Sequence, residues 1–180
     1  MNNNDAPRYY APTGGHPPQT QLTTDRAVFT EAYAVLPRGT MRDIVTSNLP
    51  FWDNTRLWVI ARPLSGFAET FSQYIVEVSP GGGSDRPELD PGAEGVLFVV
   101  EGGFTLVVGG DKHDLTPGGY AFLPPGCDWT LRNNTAETAR FHWIRKAYER
   151  VDGLDLPEPF VTNEIHVEGA EMPGTEGRWT

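Results

Sequence analysis

The chain has one cysteine, Cys127, in 180 residues. No disulfide can close within it, and no cysteine pair of redox or zinc-binding spacing exists. No apolar run approaches the roughly 18 residues of a membrane-spanning helix. The first twenty residues, MNNNDAPRYYAPTGGHPPQT, lack the apolar core of a signal peptide. Positive charge is scarce as well: 14 Lys and Arg stand against 24 Asp and Glu, a net charge of −10. That balance repels phosphate, which argues against nucleic acid and against an anionic membrane as partners. These absences together lead to the expectation of a soluble, cytoplasmic protein. Histidine occurs four times, at His16, His113, His142 and His166, in unrelated stretches without metal-ligand spacing. No Ser/His/Asp or Cys/His arrangement supports nucleophilic catalysis. Gly81-Gly82-Gly83 precedes a loop and not a helix, so it is not a phosphate cradle.

Glycine and proline are plentiful, 20 and 16 residues, and suit many short strands joined by turns. Hydrophobic content of 38% and five Trp suit a packed core, and the length suits one domain. No stretch keeps a helical period, so the chain reads as all-β. Residues 1–26 read as an N-terminal arm, 27–147 as a barrel with leading strands, and 148–180 as a linker or tail rich in Pro and acids.

Within the barrel region, residues 27–36 read as a strand stopped by Pro37-Arg38-Gly39, and 41–46 as a short strand. Residues 49–54 look like a turn, and 56–61 like a strand. Residues 71–78 alternate, with Tyr74, Val76 and Val78 on one face and Gln73 and Glu77 on the other, the pattern of a half-buried strand. Residues 79–94 read as a long loop carrying Asp85, Glu88, Asp90 and Glu94. Carboxylates of this kind hold hard cations such as Ca²⁺, but the loop lacks EF-hand spacing and reads as a solvated acidic loop. Residues 95–100 and 104–108 read as a hairpin about Glu101-Gly102-Gly103. The next hairpin turn falls at Gly109-Gly110. Residues 120–123, 129–132 and 139–146 are further strands, the last with Phe141 and Trp143 opposite His142 and Ile144.

Two stretches, GVLFVVEGG (95–103) and PGGYAFLPPGCDWTLRN (117–133), carry glycines and a proline at a recurring spacing. Gly118, Pro124, Gly126 and Asn133 fall on the pattern Gly, five residues, Pro, any, Gly, two residues, His, three residues, Asn. Gly83 and Gly102 fit the two ends of a companion pattern. This spacing resembles the cupin superfamily, and implies a double-stranded β-helix, a jelly-roll-like barrel. The resemblance also implies four metal-ligand positions. They hold Leu89, Pro91, Gly95 and Trp129 here, so the frame is present and no ligand is. No metal and no catalytic residue are therefore assigned to this chain. Trp129, Leu97, Val99 and Leu131 are the expected lining of the barrel's interior pocket, with Trp129 filling its mouth.

Longer stretches are similar to a narrower family. APTGGHPPQT, residues 22–78, GAEGVLFVVEGG, GGYAFLPPG and RFHWIRKAYERVDG resemble the N-terminal half of bacterial (S)-ureidoglycine aminohydrolases. Those are bicupins that hydrolyse (S)-ureidoglycine to (S)-ureidoglycolate and ammonia in allantoin breakdown. The resemblance implies a Mn²⁺ cofactor held by the second barrel of such an enzyme, and none in this chain. It implies a second cupin barrel as partner, with residues 148–180 leading toward it, and a barrel inactive by itself. Lacking that neighbour, the chain is expected to self-associate into a homo-oligomer through the strands at 27–36 and 56–61. The alternative is a non-catalytic cupin module for assembly or small-ligand binding.

Overall fold

The computed structural model describes residues 28–29, 33–35, 49–61 and 70–170. Eleven strands are defined: β1 Val28–Phe29, β2 Ala34–Val35, β3 Asp53–Ala61, β4 Ser72–Ser84, β5 Ala93–Glu101, β6 Phe104–Val108, β7 Asp111–Leu115, β8 Gly119–Leu123, β9 Trp129–Arg132, β10 Ala139–Ala147 and β11 Phe160–Asn163. The only helical element among the described residues is a 3₁₀ turn at Glu164–His166. The all-β expectation holds.

One sheet, in the order β11-β8-β5-β10-β4-β9-β6-β7 with β3 on β4, folds into a nearly closed barrel. β4 is the strand that turns the corner. Its first half pairs with β10 and β3, and its last two residues, Gly83 and Ser84, pair with β9. The bend runs through PGGG, and Gly83 shows why. A Cβ there would lie 2.0 Å from the Leu131 carbonyl oxygen, at a φ of +134°. Only glycine lets β4 and β9 approach this closely. The expectation of a loop from residue 79 is thus corrected: 79–84 is strand, and the loop is confined to 85–92.

The hairpin expected between residues 95–100 and 104–108 does not form. β5 pairs with β8 and β10, while β6 pairs with β7 and β9. Both edges of each strand are already taken, so Gly102-Gly103 carries the chain from one wall of the barrel to the other. The β6–β7 hairpin forms as expected, with Val108 opposite Asp111. The 27–36 stretch is also not one strand. β1 and β2 pair with each other, Val28 opposite Val35, as a separate two-stranded sheet. The strand expected at 41–46 lies outside the described residues. Residues 160–163, within the stretch read as a tail, pair with β8 as an added strand, and Phe160 stacks on Tyr120 at 5.5 Å between ring centroids.

Alternation fills the interior. Val76, Val78, Leu97, Val99, Leu106, Leu131 and Phe141 are fully buried. Phe104 of one wall meets Phe141 of the other at 5.0 Å between centroids. Each such side chain contributes about 1.5–3 kcal/mol by leaving water. On the outer face of the same strands runs a charge row, Arg56–Glu77–Arg140–Glu101, one residue from each of β3, β4, β10 and β5 in lateral register. Glu77 is buried there and ion-paired on both sides. Ile75 on the same face is buried as well, so residues 75–78 are all buried and not merely alternating. Burial opposes the charge on Arg140, and the carboxylates of Glu77 and Glu101 outweigh that and raise its pKa.

Candidate ligand pocket at the barrel mouth

The four positions that the glycine and proline pattern marks for metal ligands do converge in space. Leu89 and Pro91 come from the loop after β4, Gly95 from the start of β5 and Trp129 from the start of β9, and all four line one pocket of about 240 Å³. The frame residues place them. Gly126 and Cys127 sit in the turn between β8 and β9, which is closed by Cys127 N–H donating to the Pro124 carbonyl at 3.2 Å. The 85–92 loop is held by its own acids: Asp90 Oδ1 accepts from the Gly92 N–H, Glu88 Oε1 accepts from the Asp90 N–H, both at 2.9 Å, and Glu88 is ion-paired with Arg145.

Three indoles pack beneath the opening. Trp52, Trp129 and Trp143 lie 5.8 to 6.5 Å apart between centroids. Trp52 Nε1 donates to the Pro87 carbonyl at 3.3 Å and so ties the loop to the floor. Arg145 lays its guanidinium 5.5 Å from the Trp143 centroid. Of the residues expected to line the pocket, Trp129 does. Leu97, Val99 and Leu131 do not; they are fully buried in the core that also holds the three indoles. Trp143 and Trp52 escaped the sequence reading as site residues, and the loop acids read as a solvated loop and not as part of this pocket's lining. Trp143 was legible only as an inward residue of a strand, and Trp52 only as part of an aromatic turn.

A transition metal does not fit this mouth. Such an ion needs about three or more lone-pair donors, and Leu, Pro, Gly and Trp side chains offer none. Among the described residues, no group of three or more His, Cys, Asp or Glu is placed to share an ion. The four acids of the 79–94 stretch disperse. Asp85 pairs with Arg132 at 2.9 Å, Glu88 with Arg145, Asp90 caps its own loop, and Glu94 is part of β5. The hydrogen bond from Arg132, with its charge, holds the Asp85 carboxyl below its ordinary pKa. His113, His142 and His166 stand on β7, β10 and the 3₁₀ turn, and His16 is outside the described residues. His142 shares a 3.3 Å contact with Gln73, and burial lowers its pKa. Burial, with Asp128 adding to it, raises the pKa of Cys127 and keeps it a thiol at neutral pH.

Residues 74–145 match the family model of the Cupin domain. The fold is a cupin barrel. The chain is 28% identical over 156 residues to the (S)-ureidoglycine aminohydrolase of Escherichia coli K12, covering 83% of this chain and 58% of that one. A crystal structure of a Pseudomonas aeruginosa protein described as glyoxylate-induced is 64% identical, with a TM-score of 0.79 over 97% of this chain and 62% of that chain. The protein Ylba of E. coli is 26% identical, with a TM-score of 0.73 over 84% and 60%. This chain thus spans less than two thirds of the length of each of these relatives.

Proposed function

We propose that this cupin barrel is the metal-free portion of an enzyme of the (S)-ureidoglycine aminohydrolase kind, and that it supports a catalytic barrel without itself carrying out the hydrolysis. The observation that carries the reading is the set Leu89, Pro91, Gly95 and Trp129. They occupy the ligand positions of a cupin mouth whose frame is otherwise intact. The similarity to the E. coli aminohydrolase supplies the reaction class, and its 58% coverage leaves room for a second, ligand-bearing portion. In such a reaction the metal orients and polarises the substrate while neighbouring groups move protons to the departing amine. The side chains at those four positions offer no lone pair to hold an ion for that purpose. Manganese, allantoin breakdown, a cytoplasmic location and homo-oligomer formation belong to the same proposal.

The test is a coupled ammonia assay on freshly generated (S)-ureidoglycine with added Mn²⁺. It is run on this chain, on the P. aeruginosa relative at full length, and on this chain fused to the remainder of that relative. The expected result is ammonia release by the two longer proteins and none above background by this chain. Release by this chain that is lost in Glu94→Gln or His142→Gln would overturn the reading and put a working site in this barrel.

A further inference from the structure

The outer face of the β4-β10-β5-β8-β11 wall carries two adjacent rows of side chains that hold no acid, lysine or arginine. One row is Ile75, His142, Phe98, Tyr120 and Thr162. The next is Gln73, Ile144, Val96, Phe122 and Phe160. Burial lowers the pKa of His142, so it is neutral at pH 7. The solvated face of an antiparallel sheet is ordinarily polar, and this one is apolar and aromatic. Ile144 and Phe160 are 36% and 52% exposed. Phe160 extends the surface by stacking on Tyr120 and lying 5.8 Å from Phe122 between centroids. A charged row borders the apolar ones on each side. β10 and β5 set Arg140 beside Glu101 in one and Lys146 beside Glu94 in the other. At both levels the cation stands on β10 and the carboxylate on β5.

We infer that this face is the contact between two copies of the chain, related by a two-fold axis that runs between β10 and β5 and parallel to them. Such an axis lays β10 of one copy over β5 of the other. Arg140 then faces the partner's Glu101, and Lys146 faces the partner's Glu94. Each contact occurs twice, as an isologous interface requires. Between the charged rows, Ile144 meets the partner's Val96 and His142 meets the partner's Phe98. An apolar centre thus lies within a polar rim, the anatomy of a protein–protein interface. Charge singles out this occupant. The chain carries −10, and copies that met through a share of that excess would repel. Within these rows the charges cancel: Arg56 and Arg140 offset Glu77 and Glu101, and Lys146 offsets Glu94. Nucleic acid and anionic lipid find no net positive charge here, and a basic partner finds no net negative charge. This contact rests on the homo-oligomer of the proposed function and assigns its surface.

Sedimentation equilibrium of the purified chain tests it. The expected mass is twice the 19.9 kDa of one chain. Ile144→Lys, at the exposed centre of the face, should give a folded monomer. Two charge reversals probe the pairing itself. Glu94→Lys sets two lysines against each other across the contact, and Lys146→Glu sets two carboxylates against each other. Each should weaken dimerisation about tenfold. An equimolar mixture of these two variants should recover it as a heterodimer, because positions 94 and 146 again meet with opposite charges. A folding defect does not produce that recovery. Asp111→Lys, at an exposed position on β7, alters the net charge as Glu94→Lys does and should leave the dimer unchanged. A monomeric chain would overturn the inference and leave the face to another partner, such as a catalytic barrel. The inference also fails if the mixture associates no more tightly than either variant alone, or if Asp111→Lys weakens the dimer as much as Glu94→Lys. Mass is read without substrate or metal, so this outcome and that of the ammonia assay are independent.

Discussion

Asn133 Nδ2 donates to the Val78 carbonyl at 2.9 Å, joining the end of β9 to the middle of β4. The same nitrogen donates to the Glu137 carbonyl at 2.8 Å, while Oδ1 accepts from the N–H and the hydroxyl of Thr135. The side chain is fully buried. The last residue of the cupin frame is therefore a structural clasp, whose bonds need no metal ligand at the mouth. Asn133→Ala leaves the Val78 carbonyl unsatisfied and should cost about 3 kcal/mol. Urea unfolding should show a lower midpoint at an unchanged slope.

Trp129 fills the space below the mouth and touches Trp52 and Trp143 edge-on. Trp129→Ala should leave a cavity and cost about 3–5 kcal/mol. Trp129→Phe should cost less, because most of the ring contact remains. Thermal unfolding of the two variants side by side checks the order, and an unchanged melting curve for the alanine variant would count against the inward placement.

Removing Arg140 strands Glu77. Arg56 remains as a partner, but its side chain is 62% exposed. Arg140→Met should therefore destabilise by about 3 kcal/mol. The double change Glu77→Met with Arg140→Met should recover most of that loss, because two methionines need no charge partner. A double-mutant cycle in urea measures the coupling directly.

Acid should weaken the fold in two windows. Burial lowers the pKa of His142 from its ordinary 6.5, so the unfolded chain takes up that proton first. Stability then falls as pH drops below about 6.5 and levels off beneath the folded value. His142→Gln should flatten this part of a melting-temperature series. Asp85 acts lower: its pKa is depressed from 3.8 by Arg132. Its contribution is present above 3.8 and is lost as pH falls further, and Asp85→Asn should remove it.

Elemental analysis of the purified chain tests the missing ligands. Without lone-pair donors at Leu89, Pro91, Gly95 and Trp129, Mn, Fe and Zn should all be far below one per chain. One tightly held ion per chain would contradict the assignment of these positions.

Short-range chemistry carried much of this protein into its sequence. The β-branched run at 95–100, the short strand at 129–132, the Gly109-Gly110 turn and the spacing of Gly118, Pro124, Gly126 and Asn133 depend on neighbours a few residues away. They appear in the structure where they were expected. The cupin resemblance grouped Leu89, Pro91, Gly95 and Trp129 as one set, and all four line one pocket. Pairing partners did not follow from the spacing. β5 and β6 are adjacent in the chain and look like a hairpin, yet β5 is satisfied by β8 and β10, and β6 by β7 and β9, since a strand edge carries no record of which partner it will meet. The PGGG bend of β4 looked like loop because its reason, the closeness of the Leu131 carbonyl to Gly83, exists only once β9 has packed beside it. The place of the Trp143 indole N–H likewise has no trace in the sequence. It depends on Gly95 lying against it across the β5–β10 pair, and lateral register between strands is decided by the whole barrel closing around one core.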